Sequence, residues 1–548
     1  MMAFPNEKNG AGYTFIRHKA LSFWPVSISI PNAALPMKKI VYLLLIILNF
    51  ASCISNKKYN EKLMSKHSPD QLQKDLSIIK TSLEEAHPGV YWYIKKEKLD
   101  FKFDSIKSLL KDSMNSVEFY RLTAPLVSEV KCGHTRLIHP GLKLNKEQKA
   151  AIKKKGEAPI TQLKYKVEGN QLFVVSANKA LTHIKPAMEI LSIDSISTPT
   201  IINSLKKLYS SDGYNTTFYD EVLNKTFPNY YYLAYPKKDS SLFILKDSSG
   251  LCGEWIYNLK PKPAVKKQSE EEKIKQKELA KQQKRVDKKN RYKGFDEQKK
   301  PLLDFKIDST LNSTAVLKVK SFSFSHSNFK RFFKETFTTI QNEKIEHLIL
   351  DLRGNGGGNL MYCNLLFRYL YNQPHKFTGR ASMATRYFST GKYVDHTLIN
   401  RFTGIFPFIF VKKDNQGFYD KLPTDKAKKP KKLTYNGNLE VLINGYSFSA
   451  TSLLSSNLKK VNRGIFIGEE TGGGFNQCTA GSIPLLSLPN TGLKLRLPLK
   501  VIQIAEPIDL KGRGVFPDIE VKTTLEDILK GKDVVMEKAI DKSSQNLY

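Results

Sequence analysis

His347-Leu348-Ile349-Leu350-Asp351-Leu352-Arg353-Gly354-Asn355-Gly356-Gly357-Gly358 is the stretch on which the fold turns. Residues 347–351 read as a short buried strand, and a glycine-rich turn and a helix over Leu360–Tyr371 follow it. Three successive glycines let backbone N–H groups point into one shared space, to which the helix adds the positive end of its dipole. Such a turn suits an oxyanion as well as a phosphate. A phosphate loop would want Lys-Ser/Thr after the glycines, and Asn359-Leu360 stands there instead.

The same rhythm extends on both sides. Thr314–Val319, Leu439–Asn444 and Gly464–Gly468 read as strands, with helices over Phe329–Ile340 and Ala450–Lys460. Strands separated by helices imply βαβ units with functional residues at the strand ends, so residues 301–525 form an α/β core. A second junction lies where Leu439–Asn444 runs into Gly445-Tyr446-Ser447-Phe448-Ser449-Ala450. A serine on such a turn exposes its hydroxyl at a helix N-terminus, where free N–H groups stabilise developing negative charge. Taken alone, Ser449 reads first as an ordinary N-cap.

Upstream the pattern changes. Residues 68–145 read as helical: Ser68 caps, Pro69 opens, and Leu72, Leu76, Ile79 and Leu83 share one face. A second helix over Val117–Val130 delivers Lys131-Cys132-Gly133-His134 on a loop. Residues 159–259 turn to short strands, and Pro186–Asp194 resembles the peptide-binding strand and turn of PDZ domains. Residues 260–300 hold sixteen Lys/Arg against seven Asp/Glu and read as a charged linker. Residues 526–548 read as a C-terminal tail.

The 548-residue chain is 41% hydrophobic and 11% aromatic, which excludes a disordered protein. Of its net charge of +35 the linker carries +9 and the rest is spread out, without aromatic RNA-binding motifs or zinc spacing, so no nucleic-acid partner is expected. Five scattered cysteines make neither a disulfide framework nor a metal site, and no cofactor is expected. Cys53 stands apart. Met37-Lys38-Lys39, the eleven-residue apolar run Ile40–Phe50 and Ala51-Ser52-Cys53 resemble a bacterial lipoprotein signal over 37–52. That reading makes Cys53 the lipidated N-terminus, 53–67 a tether, and 1–36 an upstream extension from a mis-called start. It places the protein in the bacterial cell envelope, on a lipid anchor, facing the periplasm or the cell surface.

Four motifs follow in order: Asp351–Gly358, Ser449-Ala450 after a strand, Gly468-Glu469-Glu470-Thr471-Gly472-Gly473-Gly474, and Gly512-Arg513-Gly514-Val515-Phe516-Pro517-Asp518. The series resembles the carboxy-terminal-processing (tail-specific) serine protease family, and Cys132-Gly133-His134-Thr135-Arg136-Leu137 resembles the histidine loop of its tricorn and interphotoreceptor retinoid-binding-protein branch. The resemblance implies a ClpP/crotonase-like βαβ catalytic core beside the helical and PDZ-like domains, acting on polypeptides. It implies Ser449 as nucleophile, His134 as general base, and N–H groups of Ala450 and of Gly356 or Gly357 as the oxyanion hole. It also marks departures. Gly474 stands where the tail-specific proteases proper carry a catalytic lysine, Gly133 where the branch has serine, and Lys511 where it has glutamate. Glu506 is then the acid expected to orient His134, with Asp509 nearby. Because some members of the branch bind apolar ligands instead, a non-catalytic binding protein on the same scaffold is the alternative, and a polyanion-binding envelope protein is a third reading.

Overall fold

The computed structural model describes residues 56–260, 277–279, 281, 285, 290–308, 313–323, 327–395 and 411–545. Cys53, the signal-like segment 37–52 and residues 1–36 lie outside them.

Side chains alternate across a strand, and His347–Asp351 is buried on both faces because each is covered. Leu348 and Leu350 point into a core with Phe333, Leu366, Phe367, Leu453 and Leu454, from helices Phe329–Asn342, Leu360–Leu370 and Ala450–Lys460. Ile349 points the other way, to Leu442, Ile467, Val535 and Ala539. The sheet runs Leu303–Ile307, Thr314–Val319, His347–Asp351, Asn438–Ile443, Ile465–Gly468, Ile519–Glu520, in chain order across space. All neighbours are parallel except the first pair. The α/β class read from the sequence is the class observed.

Three boundaries shift. Residues 526–548, expected as a tail, instead contain the end of helix Leu525–Lys530 and the helix Val534–Gln545. The second covers the sheet face that Ile349, Leu442 and Ile467 would otherwise leave in water. A bidentate pair from Arg353 to Asp533, at 2.6 and 2.9 Å, fixes its start. The expected linker 260–300 ends as part of the core, where the Asn328 N–H donates to the Tyr292 carbonyl at 2.7 Å. Within the expected tether, Asn56–Met64 is helical and buries Leu63.

The N-terminal region packs helices Pro69–Ala86, Lys96–Leu109 and Ser116–Ser128, the first and third opened by capping boxes at Ser68 and Asn115. Residues 163–257 form an antiparallel sheet of five main strands with helices Thr198–Lys206 and Thr217–Ala234. Both regions share one continuous hydrophobic core. Into that core reaches a hairpin from far down the chain, Leu485–Ser487 and Lys494–Arg496, whose Leu486, Leu495 and neighbouring Leu493 and Leu497 are buried there. Lys494–Arg496 pairs antiparallel with Arg136–Ile138. Residues 301–525 are therefore not one self-contained unit, and this hairpin ties the histidine loop to the core. Asp75, fully buried, accepts from Thr491 N at 2.8 Å and Thr491 Oγ1 at 2.7 Å at the hairpin tip. Among the described residues no helix is long and apolar enough to cross a membrane.

Candidate active site

Strand Asn438–Ile443 ends at a turn that is held from below. Asn444 Oδ1 accepts from Gly354 N at 2.9 Å, Ser447 Oγ donates to the Leu352 carbonyl at 3.0 Å, and Phe448 N donates to the Asn355 carbonyl at 3.0 Å. These bonds lock the turn to the glycine-rich segment beside it. They also hold Ser449 at φ +57°, ψ −123°, a conformation that costs a non-glycine residue on the order of 1–3 kcal/mol. Ser449 opens helix Ala450–Lys460 but makes no side-chain cap bond. The ordinary N-cap reading therefore fails, and the hydroxyl is left for another partner.

That partner is His134. Its Nε2 lies 3.0 Å from Ser449 Oγ. The loop leaves helix Ser116–Ser128 through Lys131 at φ +50° and closes with Thr135 N donating to the Cys132 carbonyl at 2.9 Å. Arg496 Nη1 donates to the His134 carbonyl at 2.6 Å, which uses the hairpin pairing to fix the loop. The Phe448 ring packs on the imidazole with centroids 4.9 Å apart. Both groups are nearly enclosed, His134 being 5% and Ser449 8% exposed. Burial, and then the positive charges of Arg496 and Arg136 and the neighbouring His87, hold the imidazole well below its usual pKa. It is a neutral acceptor at pH 7. His87 is structural: Nε2 meets Thr135 Oγ1 at 2.8 Å, and burial lowers its pKa to about 3.

The glycine turn closes the third side. Gly357, at φ +96°, lies against the nucleophile, where an added Cβ would fall 2.8 Å from Phe448 O and 2.9 Å from Ala450 N. Its own N–H is already donated to Asn355 Oδ1 at 2.9 Å. Among the described residues the N–H groups of Gly356 and Ala450 find no acceptor.

Residues 313–521 match the sequence profile of peptidase family S41. The core is similar to the peptidases of family S41. The chain is thus a serine-type peptidase of the carboxy-terminal-processing type. Among solved structures it is similar to mature CPAF, at TM-score 0.54 and 15% identity over 84% of this chain and 94% of that one. Mature CPAF complexed with lactacystin aligns at TM-score 0.56 and 14% identity over 87% and 98%. At such identity these likenesses speak to the fold. The chain matches no curated protein.

The remaining sequence expectations divide. Glu506 does not reach the histidine. It is exposed, and its carboxylate pairs with Lys460 Nζ at 3.0 Å, a surface pair that solvates both charges. His134 Nδ1 meets no acceptor among the described residues. Cys132 is no nucleophile, since its thiol meets Thr479 Oγ1 at 2.7 Å and burial pushes its pKa to about 11. Asp351 is fully buried and fixes the glycine turn through Arg353 Nε at 2.9 Å. Glu470 holds the last two motifs together, accepting from Arg513 Nη2 at 2.5 Å and Gly514 N at 2.7 Å. Among the described residues no three His, Cys, Asp or Glu side chains are grouped to hold a metal.

One residue was invisible in the sequence. Asp212, from the turn between helices Thr198–Lys206 and Thr217–Ala234, accepts from Gly133 N at 2.8 Å and Gly474 N at 3.4 Å. Its only sequence signal is an unremarkable Asp-Gly turn. A cavity of about 280 Å³ opens beside it, walled by Trp92, Tyr93, Cys478, Asp509 and Lys511.

Proposed function

We propose that the chain hydrolyses polypeptides through an acyl-enzyme on Ser449, with His134 as general base. The observation that carries this reading is the 3.0 Å approach of Nε2 to Oγ inside a nearly enclosed site. The depressed imidazole supports it, because a neutral ring with its proton on Nδ1 leaves Nε2 free to accept. As Oγ attacks the carbonyl carbon, its proton passes to Nε2 and the carbonyl oxygen takes up negative charge. The N–H of Ala450, at the first turn of its helix, and the N–H of Gly356 are the donors we assign to that oxygen. Gly357, sequence-assigned to the same hole, serves by close approach, its N–H being engaged by Asn355. Collapse breaks the C–N bond, and the leaving amine takes the proton from Nε2. Water then repeats the sequence on the ester, its proton returning through His134 to Ser449.

We assign presentation of the polypeptide to the antiparallel sheet over residues 163–257, on the strength of its PDZ-like strand and turn. We also propose a lipid anchor at Cys53 in the bacterial envelope, supported by the basic start, apolar run and Ala51-Ser52-Cys53. Cys53→Ser should release the protein from membranes, and an unmodified Cys53 in membrane-extracted protein would contradict the anchor.

Labelling with a fluorophosphonate tests the nucleophile. One adduct should form, on the peptide containing Ser449, and Ser449→Ala should abolish it. Labelling elsewhere, or none in folded protein, would overturn the assignment.

A further inference from the structure

His134 has a well-placed Nε2 but nothing on its other nitrogen, since Nδ1 finds no acceptor among the described residues. A histidine base is commonly oriented by a carboxylate on that side. Here the ring must be oriented through its backbone and through Phe448 packed on its face. The question becomes what fixes the loop that carries it.

Asp212 does so directly. Oδ1 accepts the N–H of Gly133, the residue before His134, at 2.8 Å, and Oδ2 accepts the N–H of Gly474 at 3.4 Å. Gly474 follows Gly473, which is pressed against the nucleophile: a Cβ there would lie 2.8 Å from Ser449 N. One carboxylate thus spans from the histidine loop to the segment behind the serine. The turn that bears it is itself pinned to three regions. Ser210 Oγ donates to the Ser128 carbonyl at 2.9 Å, Gly213 N to the Lys131 carbonyl at 2.9 Å, and Tyr214 N to the Gly512 carbonyl at 2.7 Å. Asn215 Nδ2 adds a bond to the Thr471 carbonyl at 3.1 Å.

We infer that Asp212 is a positioning residue for the hydrolysis, setting the distance between His134 and Ser449 by holding Gly133 and Gly474 with its two oxygens. The inference rests on the reading of His134 as base. Two acceptors are needed at once, which a carboxylate supplies and an amide does not, because an amide would turn N–H against one of the two donors. Protonation has a similar effect. Burial pushes the Asp212 carboxyl up to about 6, while the two backbone bonds oppose that rise. The titratable groups facing it are Cys132, Cys478, Tyr93 and Tyr219, each pushed upward and so neutral at pH 7. Lys131, Asp509, Lys511 and Arg513 line the cavity with it, Arg513 being paired to Glu470. Burial and the nearby arginines hold His134 well below its own usual pKa, whereas Asp212 is raised toward neutrality, so an acid limb near 6 is the one expected of Asp212.

The test is the pH dependence of kcat and KM on a peptide substrate for wild type, Asp212→Asn, Asp212→Glu and His134→Ala. Asp212→Asn should lower kcat by about 10²-fold, the scale of a misplacement near 1 Å, with KM within about twofold. It should also move the acid limb below its wild-type position near 6. Its melting temperature at pH 8 should not fall, because a carboxyl raised above the usual value of 3.8 costs stability when ionised. Asp212→Glu, which keeps the charge but shifts it by one methylene, should be slower yet retain the acid limb near 6. Wild-type kcat and acid limb in Asp212→Asn, or a wild-type rate in Asp212→Glu should the amide variant misfold, would overturn the inference. If His134→Ala alone keeps wild-type activity, the reading of the base has failed instead.

Discussion

His134 Nε2 and Ser449 Oγ stand 3.0 Å apart across 315 positions of chain. The hairpin Leu485–Arg496 helps to hold the contact: it leaves the α/β core, buries its leucines in the N-terminal core, and pairs Arg496 with Arg136 two residues past the histidine.

The glycine turn offers a steric test. Gly357 has φ +96°, and a methyl group would meet Phe448 O at 2.8 Å and both Ala450 N and Ser449 Cβ at 2.9 Å. Gly357→Ala should therefore cost at least about 10²-fold in kcat, since the strained serine turn is what must yield. Steady-state kinetics and circular dichroism together check this, with the fold expected to persist.

Glu506 should be dispensable. Its carboxylate is 78% exposed and faces Lys460, and an exposed pair contributes little. Glu506→Gln should leave kcat/KM within about twofold of wild type, measured across pH 6–9.

The pH profile separates two groups. Burial, and then the charges of Arg496 and Arg136, hold the His134 imidazole well below its usual pKa. The rise in kcat/KM should lie near pH 6, where Asp212 ionises, and the profile should be flat from pH 7 to 8. A midpoint above 7 would contradict the electrostatics of the site.

A stability prediction concerns the opposite sheet face. Glu440 is 1% exposed beneath the C-terminal helix, with His347 Nδ1 4.0 Å away. Burial raises its carboxyl from 4.5 to about 7, against a Ser543 hydrogen bond. A raised carboxyl pKa means the folded state disfavours the charged form, so stability is lost as pH climbs from 4.5 toward 7. Glu440→Gln should stabilise by about 1–3 kcal/mol at pH 8 and by almost nothing at pH 4. Denaturant melts at the two pH values measure it.

Much of this was legible in the chain. The run His347–Asp351 is apolar on both faces because it is a central parallel strand, and the glycines after it mark the turn. Ser449 and His134 came from motif order, and the structure brings them together. The orienting acid was not legible: Glu506 is near in sequence to the last strand but points to Lys460, because its segment runs over the surface. Asp212 was missed because its function lies in two backbone N–H groups, which no residue type advertises. The C-terminal helix was read as a tail because residues 526–548 show no long apolar period. Its stripe is short, and burial of Val535 and Ala539 against an otherwise bare sheet holds it.

The most direct test is a double-mutant cycle on peptide hydrolysis with Ser449→Ala, His134→Ala and the pair combined. If Oγ and Nε2 act as one unit, each single change should lower kcat by several orders of magnitude and the double should be hardly worse than either. Near-wild-type activity in His134→Ala, or losses that simply multiply in the double variant, would contradict the account.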